Sequence, residues 1–174
     1  KLKKLLLYSL LSLNTFGLVA CNKPVNQQQL TTSEAELLYA QGKKYYLGES
    51  VPQDYQKAFK LFEQAANKGL AVAQNDLGGM YFEGTGIKKD NEKAFVWIKK
   101  SADQNYPEAE YNLGIMYDHG YYVLKNRAEA LVFYKKSADQ GYAKAQYNLG
   151  NAYANGDGVT QDEKKAFDLY TKAA

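Results

Sequence analysis

The sequence predicts an all-α protein made of about four stacked helix pairs, each 36 residues long. Three observations predict it. Near-identical text (AQNDLGGMY, AEYNLGIMY and AQYNLGNAY) begins at Ala73, Ala109 and Ala145, a constant 36 residues apart. Within each copy, apolar residues recur four apart, the spacing that lines one face of a helix. No stretch alternates apolar and polar residues as a strand does. Projecting the period back gives a further copy in which Tyr45, Gly48, Val51, Asp54 and Ala58 fall in register. The units are therefore 37–72, 73–108, 109–144 and an incomplete 145–174, within a repeat region spanning 34–174.

Each unit resolves into two helices and two turns. In the first helices, Ala73, Leu77 and Tyr81 share a face, as do Ala109, Leu113, Tyr117 and Ala145, Leu149, Tyr153. Ser33 with Glu36 has capping-box spacing and marks the expected start of the first of them. The stretch YFEGTGIKKD (81–90) has the glycines, threonine and lysines of a phosphate cradle. Such a cradle occurs once and ends in Gly-Lys-Ser/Thr, whereas this segment returns as YYLGESVPQD, YDHGYYVLKN and YANGDGVTQD without its lysines. Its fixed parts are a glycine (48, 84, 120, 156) and then Asp54, Asp90, Asn126 or Asp162. Glycine permits the left-handed residue that ends one helix, and Asp or Asn caps the next. The loop reads as a turn.

The second helices carry Ala58, Phe62, Ala66; Ala94, Ile98, Ala102; and Ala130, Tyr134, Ala138 as stripes, with Phe95 and Trp97 beside them. Small alanines let helices approach, and the large residues fill the gaps. Asn126 with Glu129 again has capping-box spacing. Gly69, Asn105 and Gly141 end the second helices, and Pro107 suits a first helical turn. Two departures stand out. Gln41 replaces the leucine of the other units, as in an end unit. Tyr122 replaces a glycine, so the third turn is expected to differ in shape, because a bulky residue at positive φ costs about 1–2 kcal/mol.

Composition narrows the function classes. The formal charge is +3, and Lys1, Lys3 and Lys4 supply all of it; the remainder holds 19 basic and 19 acidic side chains. A neutral body offers no basic stripe for a nucleic-acid backbone, so no nucleic-acid partner is expected. Residues 1–20 have a basic start and an apolar run from Leu5 to Ala20, shorter than the roughly 20 apolar residues of a spanning helix. They read as a secretory signal. The segment 21–33 follows, in which residues 22–32 are polar without apolar period and are expected to be a flexible tether of at most about 35–40 Å.

The end of the signal, Leu18-Val19-Ala20-Cys21, resembles the lipobox of bacterial lipoproteins. That resemblance implies cleavage before Cys21, a diacylglycerol on its thiol and membrane attachment through the lipid. Asn22, where aspartate is the inner-membrane retention signal, implies the outer membrane, with the protein facing the periplasm. Cys21 is the only cysteine, so an internal disulfide is ruled out.

The text A-x-x-x-L-G-x-x-Y-x-x-G followed by D-x-x-K-A-F resembles the Sel-one-like repeat family, a cousin of the tetratricopeptide repeat. Leu77-Gly78, Tyr81, Gly84, Asp90 and Lys93-Ala94-Phe95 carry the match. The resemblance covers about 37–174 and implies a right-handed α–α superhelical solenoid that assembles complexes by protein binding. The concave groove of such a solenoid is lined by its first helices. Positions there off the apolar stripe are Tyr39, Asn75, Tyr111 and Tyr147, with Ala40, Asp76, Asn112 and Asn148 beside them. Tyr39, Asn75, Tyr111, Asn112, Tyr147 and Asn148 are thus candidates for contact with a protein or peptide partner. A second role stays open, in which the asparagines bond between units and the tyrosines pack on the adjacent helix.

Catalytic and metal sites find little in the sequence, and no cofactor is expected. His119 is the only histidine and sits at a helix end, as a solvated or C-capping residue does. Asp76, Asp118 and Glu83 read as a solvated helix face. A cysteine-rich secreted branch of the repeat family is linked to penicillin binding and β-lactamase activity. Its paired cysteines are absent here and the repeats hold no Ser-x-x-Lys, so a cell-wall or β-lactam hydrolase is the alternative to a scaffold. Because Ala166, Tyr170 and Ala174 lack a following unit, they are expected to be partly uncovered unless further chain or another molecule covers them.

Overall fold

The computed structural model describes residues 27–174, with side chains from Thr32 onward. The expected leader and Cys21 lie outside the described residues. Eight helices form among those described: α1 (Gln27–Leu47), α2 (Tyr55–Asn67), α3 (Ala71–Glu83), α4 (Asn91–Ala102), α5 (Pro107–His119), α6 (Arg127–Asp139), α7 (Ala143–Asn155) and α8 (Glu163–Ala173). No strand occurs among the described residues. Each helix packs chiefly on its neighbours in the chain, giving a solenoid of four helix pairs.

The turns form as the repeated text requires. Gly84, Gly120 and Gly156 adopt φ of 81°, 74° and 67° at the ends of α3, α5 and α7, and their N–H groups donate to the carbonyls four residues back. The side chains of Asp54, Asp90, Asn126 and Asp162 accept from the N–H three residues on, capping α2, α4, α6 and α8. Their own N–H groups donate to the carbonyls of Tyr45, Tyr81, Tyr117 and Tyr153, closing each loop at 2.8–2.9 Å. Pro107 opens α5 in its first turn, and Asn105 takes the positive φ that Gly69 and Gly141 take in the other units.

Three expectations need correction. The helix α1 begins at Gln27, so the described part of the proposed tether is helical and Ser33 is interior to the helix instead of its cap. Gln and Leu are good helix formers, and no Gly or Pro interrupts 27–33, so the docked helix extends backwards. The unit boundaries at Ala73, Ala109 and Ala145 fall two residues inside α3, α5 and α7. Tyr122 does not change its turn: its φ is 68°, against 72° for Gly86 and 78° for Gly158. The tyrosine keeps the glycine conformation, and its ring packs on Phe95 at 5.7 Å, which offsets part of the backbone strain.

The helical stripes form the core. Ala58, Ala73, Ala94, Ala109, Ala130 and Ala145 are fully buried, and Leu77, Leu113, Phe62 and Tyr134 lie between them. One cluster joins the first two units and the inner face of α5, and a second joins the last two. Tyr117 and Tyr153 are only half-buried. At the C-terminal end Tyr170 is half-buried and Ala174 exposed, as expected, but Ala166 is not uncovered. Ala166 is buried, while Phe167 is 69% exposed, although its counterparts Phe59 and Leu131 are covered by the following unit. Leu37 is 70% exposed at the other end, where Gln41 is exposed too.

Polar pairs tie the two helices of a unit together, and those from Gln74 and Gln146 to the end of the preceding helix tie one unit to the next. Ser101 and Ser137 donate to the carbonyls of Ala71 and Pro107 at 2.7 and 2.6 Å. Gln74 and Gln146 donate to the carbonyls of Ala66 and Ala138, and Gln104 donates to Gln74. Glu110 takes the same buried position in the third unit and accepts from Gln140 at 2.6 Å. Burial pushes its carboxyl above the usual range, opposed by Lys136 and Gln140. Glu110→Gln is therefore expected to stabilise the protein by about 1 kcal/mol at neutral pH, since glutamine reproduces both bonds made by Gln74 without a desolvated charge. The sign is set by the raised carboxyl: the wild type carries no penalty below its unfolded value near pH 4.3, and one that grows as pH rises through the folded value. Urea midpoints at pH 4 and pH 7 check this; a gain as large at pH 4 would be inconsistent with a charge effect.

Candidate functional site

A groove of about 570 Å3 runs along α1, α3 and α5. Its exposed apolar surface comes chiefly from Leu47, Phe82 and Ile115 over the buried Phe62, Met80, Ile98 and Met116, and its polar groups include Asn75, Asp76, Asn112, Glu83, Glu108 and Lys43. The first helices reach it because their apolar stripes are turned into the stack, leaving Asp76, Tyr111 and Asn112 half-buried on the groove side, while Asn75 is buried beneath them.

Within it, the Asn112 Nδ2 donates to Asn75 Oδ1 at 2.9 Å across the second and third units. The Asn75 Nδ2 in turn faces Asp76 Oδ1 at 3.3 Å, and the Tyr39 hydroxyl donates to Asp76 Oδ2 at 2.8 Å. Burial raises the Asp76 carboxyl, although donors from Tyr39 and Asn75 and the charge of Lys43 oppose it. The Tyr39 hydroxyl is held far above the phenol range by burial and by the Asp76 charge, so it remains a donor at physiological pH.

Of the six candidate contact residues, Asn75, Tyr111 and Asn112 line this groove. Tyr39 stands in the wall behind it, with its ring 5.2 Å from Phe62. Tyr147 and Asn148 lie further along on α7. The Tyr147 ring is 5.6 Å from Tyr170, and the Tyr134 hydroxyl donates to Asp118 at 3.3 Å. Tyr111 also packs on Tyr134 and Tyr142. The tyrosines thus do pack on adjacent helices, and Asn112 bonds a side chain instead of a backbone group.

Two acids expected on a solvated face are not free there. Asp76 is tied into the Tyr39 bond, and Asp118 accepts from Arg127 at 2.7 Å, whose other nitrogen reaches Asp157 at 2.9 Å. Glu83 is exposed at the groove rim. Sequence reasoning missed Met80, Phe82, Glu108, Ile115 and Met116 as groove residues. The signal that could have found the groove was the departure of the second unit from the repeat.

Chemically, the groove offers amides, carboxylates and apolar surface. Its lining contains no Ser, Thr, Cys or His, the residue types that supply a hydroxyl or thiol nucleophile or an imidazole base. His119 ends α5 in an exposed position, with Nδ1 3.1 Å from the Ile115 carbonyl and its ring stacked on Tyr121. Among the described residues, no group of His, Cys, Asp and Glu is arranged to hold a metal ion. No helix among them is long and apolar enough to cross a membrane.

The Sel1 repeat matches the chain four times, over residues 33–70, 71–106, 107–142 and 143–174. No curated protein is similar to it in sequence. Among solved structures, a Sel1 repeat protein from Oxalobacter formigenes is 34% identical with a TM-score of 0.76, over 85% of this chain and 60% of that one. A protective antigen present in uropathogenic Escherichia coli strains, displaying an SLR fold, is 33% identical with a TM-score of 0.75, over 83% of this chain and 31% of that one. The chain thus spans 60% and 31% of the lengths of these two proteins. Cysteine rich protein B of Helicobacter pylori shares the fold at 23% identity, with a TM-score of 0.53, over 69% of this chain and 95% of that one.

Proposed function

This chain belongs to the Sel1 repeat family of helical scaffolds, which typically serve protein–protein interaction, and on that premise we propose that it is a lipid-anchored periplasmic scaffold holding a protein partner in the groove of α1, α3 and α5. The observation that carries this reading is the groove itself. An apolar floor with a few amides and carboxylates suits an extended peptide segment, whose side chains need apolar cover and whose main chain needs donors and acceptors. The anchor is Cys21, which follows a leader resembling that of bacterial lipoproteins. Two acyl chains or more hold a protein at a membrane, at about 0.8 kcal/mol per buried methylene. Asn22, in place of the aspartate that is the inner-membrane retention signal, supports attachment to the outer membrane.

A photo-crosslinking residue tests the groove in living cells. At Ile115 it is expected to give discrete adducts of higher mass, and at Val132, exposed on α6 away from the groove, it is expected to give none. Equal patterns at the two positions would remove the groove from the proposal. Labelled palmitate is expected to mark the wild type and not Cys21→Ser; label in both would dismiss the anchor.

A further inference from the structure

The second unit lacks an aromatic pair that the other three possess. In the first, third and fourth units, a tyrosine of the first helix faces a ring of the second. The pairs are Tyr39 with Phe62, Tyr111 with Tyr134 and Tyr147 with Tyr170, at 5.2, 5.8 and 5.6 Å between ring centres. The same positions in the second unit are Asn75 and Ile98. A third position is reduced with them: Gly79 stands where the others have Lys43, Ile115 and Asn151, and the space beside it is open. All three residues line the groove. Asn75 and Ile98 are themselves buried, so the room opened at this level of the stack lies beside Gly79.

From this vacancy we infer that the groove contains a subsite for an aromatic side chain of the partner, on an extended segment with lysine or arginine near that residue. The inference rests on the scaffold reading above and specifies its partner. An aromatic occupant fits because the vacancy retains neighbours suited to a ring. Tyr46, Phe82 and Tyr111 supply aromatic edges and faces, and Leu47 and Ile115 supply aliphatic surface beside them. Aromatic anchors in such pockets dominate many interfaces. Asn112 uses one amide hydrogen on Asn75 and has further donor and acceptor capacity for the segment's main chain. The basic flank follows from charge. Asp76, Glu83 and Glu108 line the groove against Lys43 alone, so the field there favours a cation and disfavours an acidic segment.

The test selects a phage-displayed random dodecapeptide library on the full chain, followed by titration calorimetry with the enriched peptides. Enrichment is expected for Trp, Tyr or Phe with Lys or Arg within two positions. Replacing that aromatic residue by Ala in the peptide is expected to weaken binding at least tenfold. Gly79→Leu in the protein, which fills open space, is expected to do the same. Gly79→Phe places a ring over the same open space and serves as a second filling variant, with melting curves confirming that each stays folded. Glu83→Gln with Glu108→Gln is expected to weaken binding three- to tenfold and to flatten its salt dependence. Enriched peptides without an aromatic residue, no enrichment at all, or unchanged binding to both folded filling variants would each overturn the inference. Crosslinks at Ile115 alongside any of those outcomes would leave the scaffold reading standing, whereas their absence would remove both.

Discussion

Leu113→Ala is expected to lower the unfolding free energy by about 2–5 kcal/mol, the range for deleting a buried leucine where surrounding atoms cannot close the void. Leu113 is 1% exposed and belongs to the cluster built on the first two units. The other side of the same helix, through Tyr111, Ile115 and Tyr117, packs against the second cluster. Its loss therefore acts at the junction of two halves, each coupled mainly to its nearest neighbour. Trp97, the only tryptophan, sits on α4 in the second unit and reports on the first half. In wild-type protein, tryptophan fluorescence and far-ultraviolet circular dichroism are expected to give one urea midpoint. In the variant both midpoints should fall, and the two should separate. Leu124→Ala, at a side chain 91% exposed, is the control and should change stability by no more than about 0.5 kcal/mol. A loss below about 1 kcal/mol at Leu113 would show that the junction closes up around the smaller side chain.

The helices, their order and their caps were legible because each depends on local chemistry that the repeat states several times. Asp90 caps α4 for the reason Asp54 caps α2, so each copy checks the others. What was not legible has two physical sources. The extension of α1 to Gln27 and the φ of Tyr122 are places where the rest of the fold overrides a local preference: a docked helix propagates into neutral sequence, and a turn held at both ends imposes its shape on a tyrosine. The groove was hidden for a different reason. Reading a repeat means attending to what recurs, and the open part of this cavity lies where the second unit fails to recur, beside Gly79. Asn75, Tyr111 and Asn112 were found because they lie off the apolar stripe. The rule that found them could not tell that Tyr39 would serve as wall and Tyr147 lie outside.

Gly78→Ala and Gly79→Ala, one residue apart on the same helix, are expected to change stability in opposite directions. Alanine is better than glycine in a helix interior by about 1 kcal/mol, and both sites would collect that gain. At Gly79 nothing opposes it, because an added Cβ meets open space. At Gly78 the Cβ would lie 2.6 Å from Ile98 Cγ1, 3.1 Å from the Ala94 carbonyl oxygen and 3.2 Å from the Ile98 nitrogen. Two of these atoms are backbone, so relief requires moving α4 away from α3. Overpacking of that kind costs about 1–3 kcal/mol, and it exceeds the helical gain because the shift also loosens Ala94 and Ile98 from the core. Thermal melts of the two variants against wild type decide it. Should Gly78→Ala melt at or above the wild-type temperature, α3 and α4 would have slack at their crossing, and the glycine that follows each leucine of the repeat would owe its place to something other than close approach.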